Sequence, residues 1–351
     1  MRRPLHDLPE PIARHFAPPR HNDRGWQATV WAAVLTYNRK ETLLLCLAAL
    51  RAQVERPDRV VIVDNGSSDG TAAALAAHGI LDDPLFRYVR LERNIGAAAG
   101  FARLFREVWQ AGADWGWFMD DDVVAAPEAL RELKRAFAGH FAAPDEIGFL
   151  VSSAVTGDGK ANDVPMVDDR RTRDASAEWG DLLASGLVKV RSSALNSVLI
   201  PRSTLAAFGT PSPDFTIWGE DTDYCLRVTE ARPAFIVGRS RVVHLRRVPG
   251  DLDIFAESDG PRLDRFYYLY RNTVYLRRRH WPRHALYLFL GKALLHFARC
   301  LTFREQRWKR AGLVLRGTLA GLVFAPRAAT LDEPSERDAE AEPEEAAAPV
   351  V

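Results

Sequence analysis

The sequence predicts an α/β fold: a mostly parallel sheet flanked by helices, followed by a C-terminal helical extension. Strand-like apolar runs alternate with helical periodicity four times before residue 120, which is typical of parallel strands joined by crossover helices. Polar clusters follow the strands, and residues 261–324 have helical periodicity throughout. These observations divide the chain into a sheet-based part and a helical part.

Composition restricts the class of protein. The chain has 351 residues, 47% of them hydrophobic, and nine tryptophans, which suffice for a substantial core and exclude an intrinsically disordered protein. The three cysteines are far apart, which fits a reducing cytosol and indicates neither a zinc site nor a disulfide framework. The N-terminus lacks an apolar signal core and no uninterrupted apolar run reaches about 18 residues, so we expect a cytoplasmic chain without a spanning helix.

Charge is unevenly distributed along the chain. The formal net charge is +1, yet the segment from Asp332 onward carries eight acidic residues and one arginine, a local charge of −7 that leaves +8 for the rest. Much of the positive charge lies between Arg239 and Arg316. This region predicts an anionic partner, such as phosphate or a lipid surface.

We expect four segments along the chain. Residues 1–27, rich in Pro, Arg and His, form an irregular extension, and residues 28–250 form the sheet-based domain. Residues 251–330 form a basic, aromatic helical region, and residues 331–351, rich in Ala, Glu and Pro, form a disordered acidic tail.

Within the sheet-based domain the elements follow from two periodicities. Apolar runs with β-branched or aromatic residues predict strands at 29–36, 59–64, 86–91, 117–119, 148–154, 188–200, 235–238 and 241–244. Helical spacing of apolar residues predicts helices at 40–52, 71–78, 94–111 and 129–141. Residues 157–181 are polar and aperiodic, which predicts a surface loop.

Three consecutive carboxylates, Asp120, Asp121 and Asp122, follow the apolar run 117–119. Adjacent carboxylates at the end of a buried strand repel one another and lose solvation, and a divalent cation relieves both effects because hard cations take carboxylate oxygens as ligands. A solvated acidic turn leading into a helix, with Pro127 near its first turn, would give the same pattern. Both interpretations stay open on these residues alone.

Four polar clusters are expected at the carboxyl ends of the strands, where ligands bind to parallel sheets. They are residues 36–39, 64–71, 93–96 and 120–122. Helix capping and loop polarity explain Ser67, Ser68 and Asp69. They explain Asp64 less well, because it directly follows the apolar run 60–63.

A second acidic cluster begins with Glu220 and Asp221, at the predicted start of a helix. Such residues often only stabilise a helix N-terminus. Trp218-Gly219 just before them indicates a tight, partly apolar pocket, which would raise a carboxylate pKa as required of a base that takes a proton from a hydroxyl. His244 ends a Val-Val run; a lone histidine is more often structural, but this position makes it a candidate to share a metal with the aspartates.

Five motifs, taken together and in order, identify a family resemblance. They are Thr36-Tyr-Asn-Arg39, Val63-Asp-Asn-Gly-Ser-Ser-Asp-Gly-Thr71, Arg93-Asn-Ile-Gly96, Asp120-Asp-Asp122 and Trp218-Gly-Glu-Asp221. The set resembles the inverting, nucleotide-sugar-dependent glycosyltransferases of family 2, which have the Rossmann-like GT-A fold, over about residues 29–250.

Within that family the chain is most similar to bacterial galactofuranosyltransferases, with rhamnosyltransferases close by. The similarity lies in the stretch 94–102, in Met119-Asp-Asp-Asp-Val and in the C-terminal run 266–275. Ala97-Ala98-Ala99 departs from the pattern, since a more Gly-rich stretch is common there.

The resemblance implies roles for particular residues. The implied donor-binding residues are Thr36, Arg39, Asp64, Asn94, Asp120 and Asp121. Asp120, Asp122 and His244 would hold Mn²⁺ or Mg²⁺ against the diphosphate. Asp221 would be the general base, with Trp218 and Glu220 on the acceptor side.

The implied activity is metal-dependent transfer of galactofuranose from UDP-galactofuranose, with inversion, to a lipid-linked or cell-envelope glycan. Rhamnosyl transfer from dTDP-rhamnose is the alternative, with a UDP-sugar preferred. A nucleotidyltransferase would need a Gly-rich basic signature near the first strand, which residues 34–39 lack. A non-catalytic nucleotide-sugar-binding scaffold is disfavoured by the intact acidic residues and His244. The sequence has no recognised nucleic-acid module, and a homo-oligomer stays open.

Aromatic residues alternate with arginines across the C-terminal helical region. A helix with an apolar side and a basic side can lie in a lipid interface, whereas a helical subdomain packed on the sheet would show similar periodicity. Because polyprenyl-linked acceptors are usual in the family, we expect a peripheral position on the inner face of the cell membrane. His280-Trp281-Pro282 predicts a helix break.

Overall fold

A computed structural model describes residues 26–172, 176–245, 252–327 and 330–332. Within these residues ten strands form one sheet. The strands are β1 (Val30–Thr36), β2 (Arg59–Asp64), β3 (Phe86–Arg90), β4 (Trp115–Asp120), β5 (Val123–Ala125), β6 (Leu150–Val155), β7 (Met166–Val167), β8 (Leu187–Ser192), β9 (Val198–Pro201) and β10 (Ala234–His244). The helices are α1 (Lys40–Arg51), α2 (Thr71–Ala77), α3 (Ala97–Gln110), α4 (Ala129–His140), α5 (Arg202–Phe208), α6 (Glu220–Thr229), α7 (Gly260–Asp264), α8 (Phe266–His280), α9 (Arg283–Thr302) and α10 (Arg307–Val323).

The sheet has a parallel half and a mixed half. Its order is β3-β2-β1-β4-β9-β6-β10-β8-β7, with β5 paired to β10. Strands β3, β2, β1 and β4 are parallel. Strand β9 is antiparallel to both of its neighbours, and β10 runs parallel to β6 and antiparallel to β8 and β5. This is the mostly parallel, helix-flanked sheet that the sequence predicts.

Helices cover both faces of the sheet, which explains why its inner strands are continuously apolar. Along β1, Ala32 and Val34 join the core under α1 and α4, whereas Ala33 and Leu35 join the core under α3 and α6. Both sets are buried. A strand that is buried on both faces has no side on which polar residues are favoured.

The C-terminal helices form a bundle with an apolar core of their own, which includes Phe266, Tyr270 and Val314. Helices α8 and α10 approach each other closely at Gly317 and Gly321. A Cβ atom on either glycine would lie only 2.6 Å from a backbone oxygen of α8. Helix α8 also packs against the sheet-based part, where Leu276 contacts Phe215. The predicted break at residues 280–282 is confirmed, since α8 ends at His280 and α9 begins at Arg283.

The structure contains one strand that was not predicted, and it divides or joins others differently. Residues 123–125, between the aspartates and the helix at Ala129–His140, form β5 because they pair with β10. The single strand expected at 188–200 is two strands, β8 and β9, separated near Ser197, whose φ is +67°. The two strands expected at 235–238 and 241–244 are one, β10, with a shift of register between Val237 and Arg241.

The expected N-terminal extension, residues 1–27, lies outside the described residues apart from 26 and 27, as does the expected acidic tail, residues 331–351, apart from 331 and 332. Asp332 accepts a hydrogen bond from the Trp109 indole at 3.0 Å.

Candidate active site

The carboxyl ends of three parallel strands bring predicted site residues to one edge of the sheet. Thr36 is in register with Asp64 on the neighbouring strand β2. On the other side of β1, Leu35 is in register with Asp120 at the end of β4. The strand register therefore places Thr36, Asp64 and Asp120 side by side, although they are far apart in the sequence.

The turn after β4 is held by residues of the β1–α1 loop. Asp121 accepts a hydrogen bond from the Thr36 hydroxyl at 2.7 Å, and the Arg39 guanidinium lies 3.4 Å from its other oxygen. Arg39 also contacts Asp122 Oδ2 at 2.5 Å. Burial raises the pKa of Asp121 to about 6, against the opposing effects of Arg39 and Thr36. Burial and the charges of Asp122 and Asp121 hold the pKa of Asp120 well above its usual range.

His244, at the end of β10, lies between two carboxylates. Its Nε2 atom is 3.1 Å from Asp122 Oδ1, and its Nδ1 atom is 2.5 Å from Asp163 Oδ2. Burial lowers the pKa of His244, but the hydrogen bonds to both carboxylates outweigh it and raise the pKa to about 10. Although burial acts to raise it, the pKa of Asp122 is lowered by the hydrogen bond and charge of His244. The His244 side chain is therefore an imidazolium at neutral pH in this arrangement.

The Asp122–His244 pair fits a divalent cation. Asp122 Oδ1 is buried, and it lies 3.1 Å from His244 Nε2, the nitrogen that would bind a cation once it has lost its proton. Two ligands about 2.1 Å from one cation and about 90° apart would lie about 3 Å from each other, close to the observed separation. Within the described part of the chain, no group of three or more His, Cys, Asp or Glu side chains is arranged to hold an ion. A pair of protein ligands leaves the other positions of a cation such as Mn²⁺ or Mg²⁺ to water and substrate phosphates.

The loop after β2 is tied to the loop before α3. The carboxylate of Asp64 is fully buried and accepts hydrogen bonds from the Ser67 amide at 2.8 Å and the Tyr88 hydroxyl at 2.5 Å. The Asn65 amide donates to Asn94 Oδ1 at 3.2 Å. Asn94 itself is exposed at the same edge. A ligand could reach Asn94 directly, whereas a contact with Asp64 requires the Tyr88 hydroxyl to move.

The second acidic cluster forms the first turn of α6. Glu220 is buried, and its Oε2 atom has no hydrogen-bond partner among the described residues. Asp221 is half-buried and accepts hydrogen bonds from the Thr222 amide and hydroxyl at 2.6 and 3.2 Å. Trp218, half-buried with a φ of +61°, lies just before this turn.

Electrostatics connects this cluster to the sheet edge. Burial raises the pKa of Glu220, and the charges of Asp221 and Asp120 add to the effect. Burial also raises the pKa of Asp221. The hydrogen bonds from Thr222 lower that pKa, and the charge of Asp163 raises it further. These charge effects, together with the hydrogen bond from the Ala98 amide to the Thr216 carbonyl at 3.1 Å, indicate that the two acidic clusters border one common region, between the end of β4 and the start of α6.

Two residues of this region were missed at the level of sequence. Asp163 lies in the polar stretch 157–181, where no local feature distinguishes it from other exposed acids. Tyr88 is one of several alternating side chains on β3. Only the position of His244 at the end of β10 could have directed attention to a polar partner such as Asp163.

Comparison with known proteins agrees with this architecture. Solved structures that share the fold include GalNAc-T7, crystallised with UDP, GalNAc and Mn²⁺ (TM-score 0.53, 14% identity, 83% of this chain and 55% of that one). They also include the mannosyltransferase PcManGT from Pyrobaculum calidifontis, in complex with GDP-Man and Mn²⁺ (TM-score 0.51, 17% identity, 89% of this chain and 94% of that one). The sheet and its edge define a protein of the GT-A glycosyltransferase fold.

Sequence comparison narrows the class. Residues 31–178 match the model of glycosyl transferase family 2. The chain is 30% identical to galactofuranosyltransferase GlfT1 of Mycobacterium tuberculosis over 198 residues, which are 56% of this chain and 62% of that protein. The match thus spans somewhat less than two thirds of this relative. Residues 31–178 are therefore similar to glycosyltransferase family 2, and the chain is similar to galactofuranosyltransferases.

Proposed function

We propose that this protein is a metal-dependent inverting glycosyltransferase that moves galactofuranose from UDP-galactofuranose to a lipid-linked or cell-envelope glycan. The observation that carries the proposal is the common region bordered by two acidic clusters. One cluster, with His244, suits a cation and a diphosphate, and the other supplies a carboxylate of raised pKa. The 30% identity to a galactofuranosyltransferase supports the choice of sugar.

The donor side of the proposed site is the edge formed by β1, β2 and β4. In this assignment the donor-binding residues are Thr36, Arg39, Asp64, Asn94, Asp120 and Asp121. Asp122 and His244, next to Asp120, would hold Mn²⁺ or Mg²⁺, and that ion would neutralise charge at the leaving diphosphate. Arg39 adds a fixed positive charge beside the same turn, 2.5 Å from Asp122. Thr36 keeps the Asp121 carboxylate in place through its hydrogen bond.

The acceptor side is the first turn of α6. Asp221 takes the proton of the acceptor hydroxyl while that oxygen bonds to the anomeric carbon and the bond to the diphosphate breaks on the opposite face. Burial gives Asp221 a raised pKa, which strengthens it as a base while leaving it half-exposed to substrate. Glu220 is buried, and its pKa of about 8 keeps its carboxyl group protonated at neutral pH, so it suits a supporting role beside Trp218.

A donor panel tests this function. Purified protein is incubated with UDP- and dTDP-sugars, with Mn²⁺ or with EDTA, and with a polyprenyl-glycan extract as acceptor. We expect UDP release from UDP-galactofuranose that requires both metal and acceptor. Release of dTDP from dTDP-rhamnose instead would keep the reaction and change the sugar. Absence of binding for every donor in the presence of metal would refute the catalytic proposal in favour of a scaffold.

We also propose that the C-terminal helices rest on an anionic membrane surface through α9. Between Arg265 and Arg327 there are 14 lysines and arginines and one glutamate, a net charge of +13. On α9, Tyr287, Leu288, Leu294 and Leu295 are each at least 66% exposed. Exposed apolar side chains on a basic bundle complement a lipid surface with anionic headgroups.

Among the described residues, α9 is also the one helix that is long enough and apolar enough to cross a membrane, judged by length and composition alone. An interfacial position suits it better, because Ala293 and Cys300 of α9 are buried in the helical bundle and Lys292 lies mid-helix. A helix that crosses the bilayer would have to leave these contacts. This position would bring the protein to a lipid-linked acceptor at the inner face of the membrane.

Vesicle sedimentation tests the membrane proposal. We expect binding to vesicles containing phosphatidylglycerol, weakened by salt, and little binding to phosphatidylcholine alone. The double variant Leu288→Glu/Leu295→Glu should lose binding. The matched control Leu45→Glu/Leu81→Glu changes two exposed leucines of the sheet-based part and should bind as the wild type does. Equal loss in both variants, or dimerisation through α9 without vesicle binding, would contradict the proposal.

A further inference from the structure

The loop that precedes Glu220 and Asp221 has an unusual backbone. Thr216 and Trp218 have φ values of +68° and +61°, and Gly219 has a φ of +112°. Residues other than glycine rarely adopt backbone angles in the left-handed region, and they remain there only where the surrounding structure holds them. The contacts of this loop should therefore reveal what holds the first turn of α6.

One face of the loop is held by a buried side chain of α8. Asn272, only 1% exposed, directs its amide nitrogen at three carbonyl oxygens of the loop, those of Phe215, Ile217 and Trp218, at 3.1, 2.9 and 2.7 Å. Asn272 Oδ1 in turn accepts a hydrogen bond from Arg271 Nε at 2.9 Å. This contact sets the orientation of the amide, so that its NH₂ group faces the loop.

Arg271 and His280 extend the same connection. Arg271 Nη2 donates to the carbonyl oxygens of Asp214 and Phe215 at 2.7 and 3.0 Å. His280, at the end of α8, lies 3.0 Å from Asp223 Oδ1 on α6. Helix α8 thus contacts both the loop and helix α6, whose first turn contains the proposed base Asp221.

The opposite face of the loop meets the donor side. The Ala98 amide donates to the Thr216 carbonyl at 3.1 Å, and a Cβ atom on Gly96 would come within 2.9 Å of that oxygen. The loop is therefore enclosed between the start of α3 and helix α8. Helix α8 lies outside residues 31–178, the part of the chain that matches the family model.

From these contacts we infer that Asn272 is a positioning residue: it fixes the loop 215–219 from α8 and thereby sets the position of the Asp221 carboxylate relative to the donor. The kinetic consequence of this inference rests on the proposed transferase function, whereas its structural consequence does not. Asn272 touches the backbone of the loop and acts on the reaction only through Asp221.

The test uses Asn272→Asp in the full-length protein. This change keeps the size of the side chain but places a carboxylate opposite three carbonyl oxygens. Asn272→Ser, which also withdraws the NH₂ donor, serves if the first variant fails to fold. Thr273→Val, one residue away on the same helix, is the matched control for altered packing of α8.

Two readouts separate positioning from general damage. In hydrogen exchange, amides of residues 216–222 should exchange at least about tenfold faster in the Asn272 variants, with strands β1, β2 and β4 unchanged. In kinetics, kcat should fall about 100-fold, as expected for a misplaced catalytic group, while the KM for the nucleotide sugar stays within about threefold. Thr273→Val should leave both quantities near the wild type.

The outcomes are distinct. Unchanged exchange of residues 216–222 in both Asn272 variants overturns the inference, as does a parallel loss of donor binding and kcat that Thr273→Val shares. If the wild type transfers no sugar from any donor, the proposed function fails, and the exchange measurement still decides whether Asn272 holds the loop.

Discussion

Glu220 allows a test of the site that requires no substrate. Its carboxyl group is buried with an unpartnered oxygen, and burial together with the charge of Asp221 raises its pKa from 4.5 to about 8. A raised carboxyl pKa means that the folded protein holds the proton more tightly than the unfolded chain does. The stability that this proton contributes is complete below about pH 4.5 and is lost as pH rises towards 8.

The size of the effect follows from the same shift. One pH unit corresponds to about 1.4 kcal/mol for a proton bound in only one state, so the rise to about 8 costs on the order of 5 kcal/mol between acid and alkaline pH. Glu220→Gln cannot ionise and removes this dependence. The variant should be slightly less stable than the wild type at pH 5, because its amide lacks a partner, and more stable at pH 9.

Thermal unfolding of both proteins between pH 5 and 9 measures the difference. We expect the two midpoints to cross and to differ by several degrees at the alkaline end. Asp221→Asn removes the neighbouring charge and so makes Glu220 easier to ionise. Less stability is then lost as pH rises, and the crossing of the two midpoints should move to higher pH. Midpoints that remain parallel over the whole range would refute the description of Glu220 as a buried, proton-holding carboxyl.

Two further predictions concern the donor side. His244 has a pKa of about 10 and must lose its proton to bind a metal. Mn²⁺ affinity, measured by calorimetry in the presence of UDP, should therefore rise with pH by up to about tenfold per unit between pH 6 and 9. His244→Ala should bind Mn²⁺ more weakly and with a smaller dependence on pH, and an identical dependence would contradict the assignment of His244 as a ligand. Gly66→Ala should destabilise the protein by about 1–3 kcal/mol, because Gly66 has a φ of +77° and the added Cβ would lie 2.5 Å from the Arg93 carbonyl carbon. An unchanged midpoint of unfolding in urea would contradict this prediction, since it would show that the backbone of the loop adjusts to the added Cβ at no cost.

The parallel half of the sheet was predictable because its signals are local. Strands β1, β2 and β4 are continuous apolar runs, and a polar residue at the end of each run marks the edge where ligands bind. The family motifs lie at the same positions, so fold and candidate site were predicted together.

The mixed half depends on contacts between residues distant in sequence. Residues 123–125 form a strand only because β10 pairs with them. The stretch 238–240, which resembles a turn by composition, stays within β10 because the pairing with β6 shifts register and continues. Neither outcome is determined by the sequence of the segment itself.

The side chains that complete the site were hidden for the same reason. Asp163 contacts His244 across 81 positions of sequence, and Asn272 reaches the loop before Glu220 across 54 to 57 positions. Asn272 stands in a run that resembles the C-terminal region of the family, but the resemblance assigns it no role. Only the packing of α8 against the loop indicates one.

The most direct measurement is the acceptor-dependent transfer rate of wild type and Asp221→Asn at saturating UDP-galactofuranose and Mn²⁺, with donor binding measured in parallel. Loss of the base should reduce kcat by about 10²–10⁴-fold while donor affinity stays close to that of the wild type. Glu220→Gln, compared under the same conditions, should keep most of the rate. Transfer by Asp221→Asn at the wild-type rate, or loss only in Glu220→Gln, would contradict the assignment of Asp221 as the group that accepts the proton.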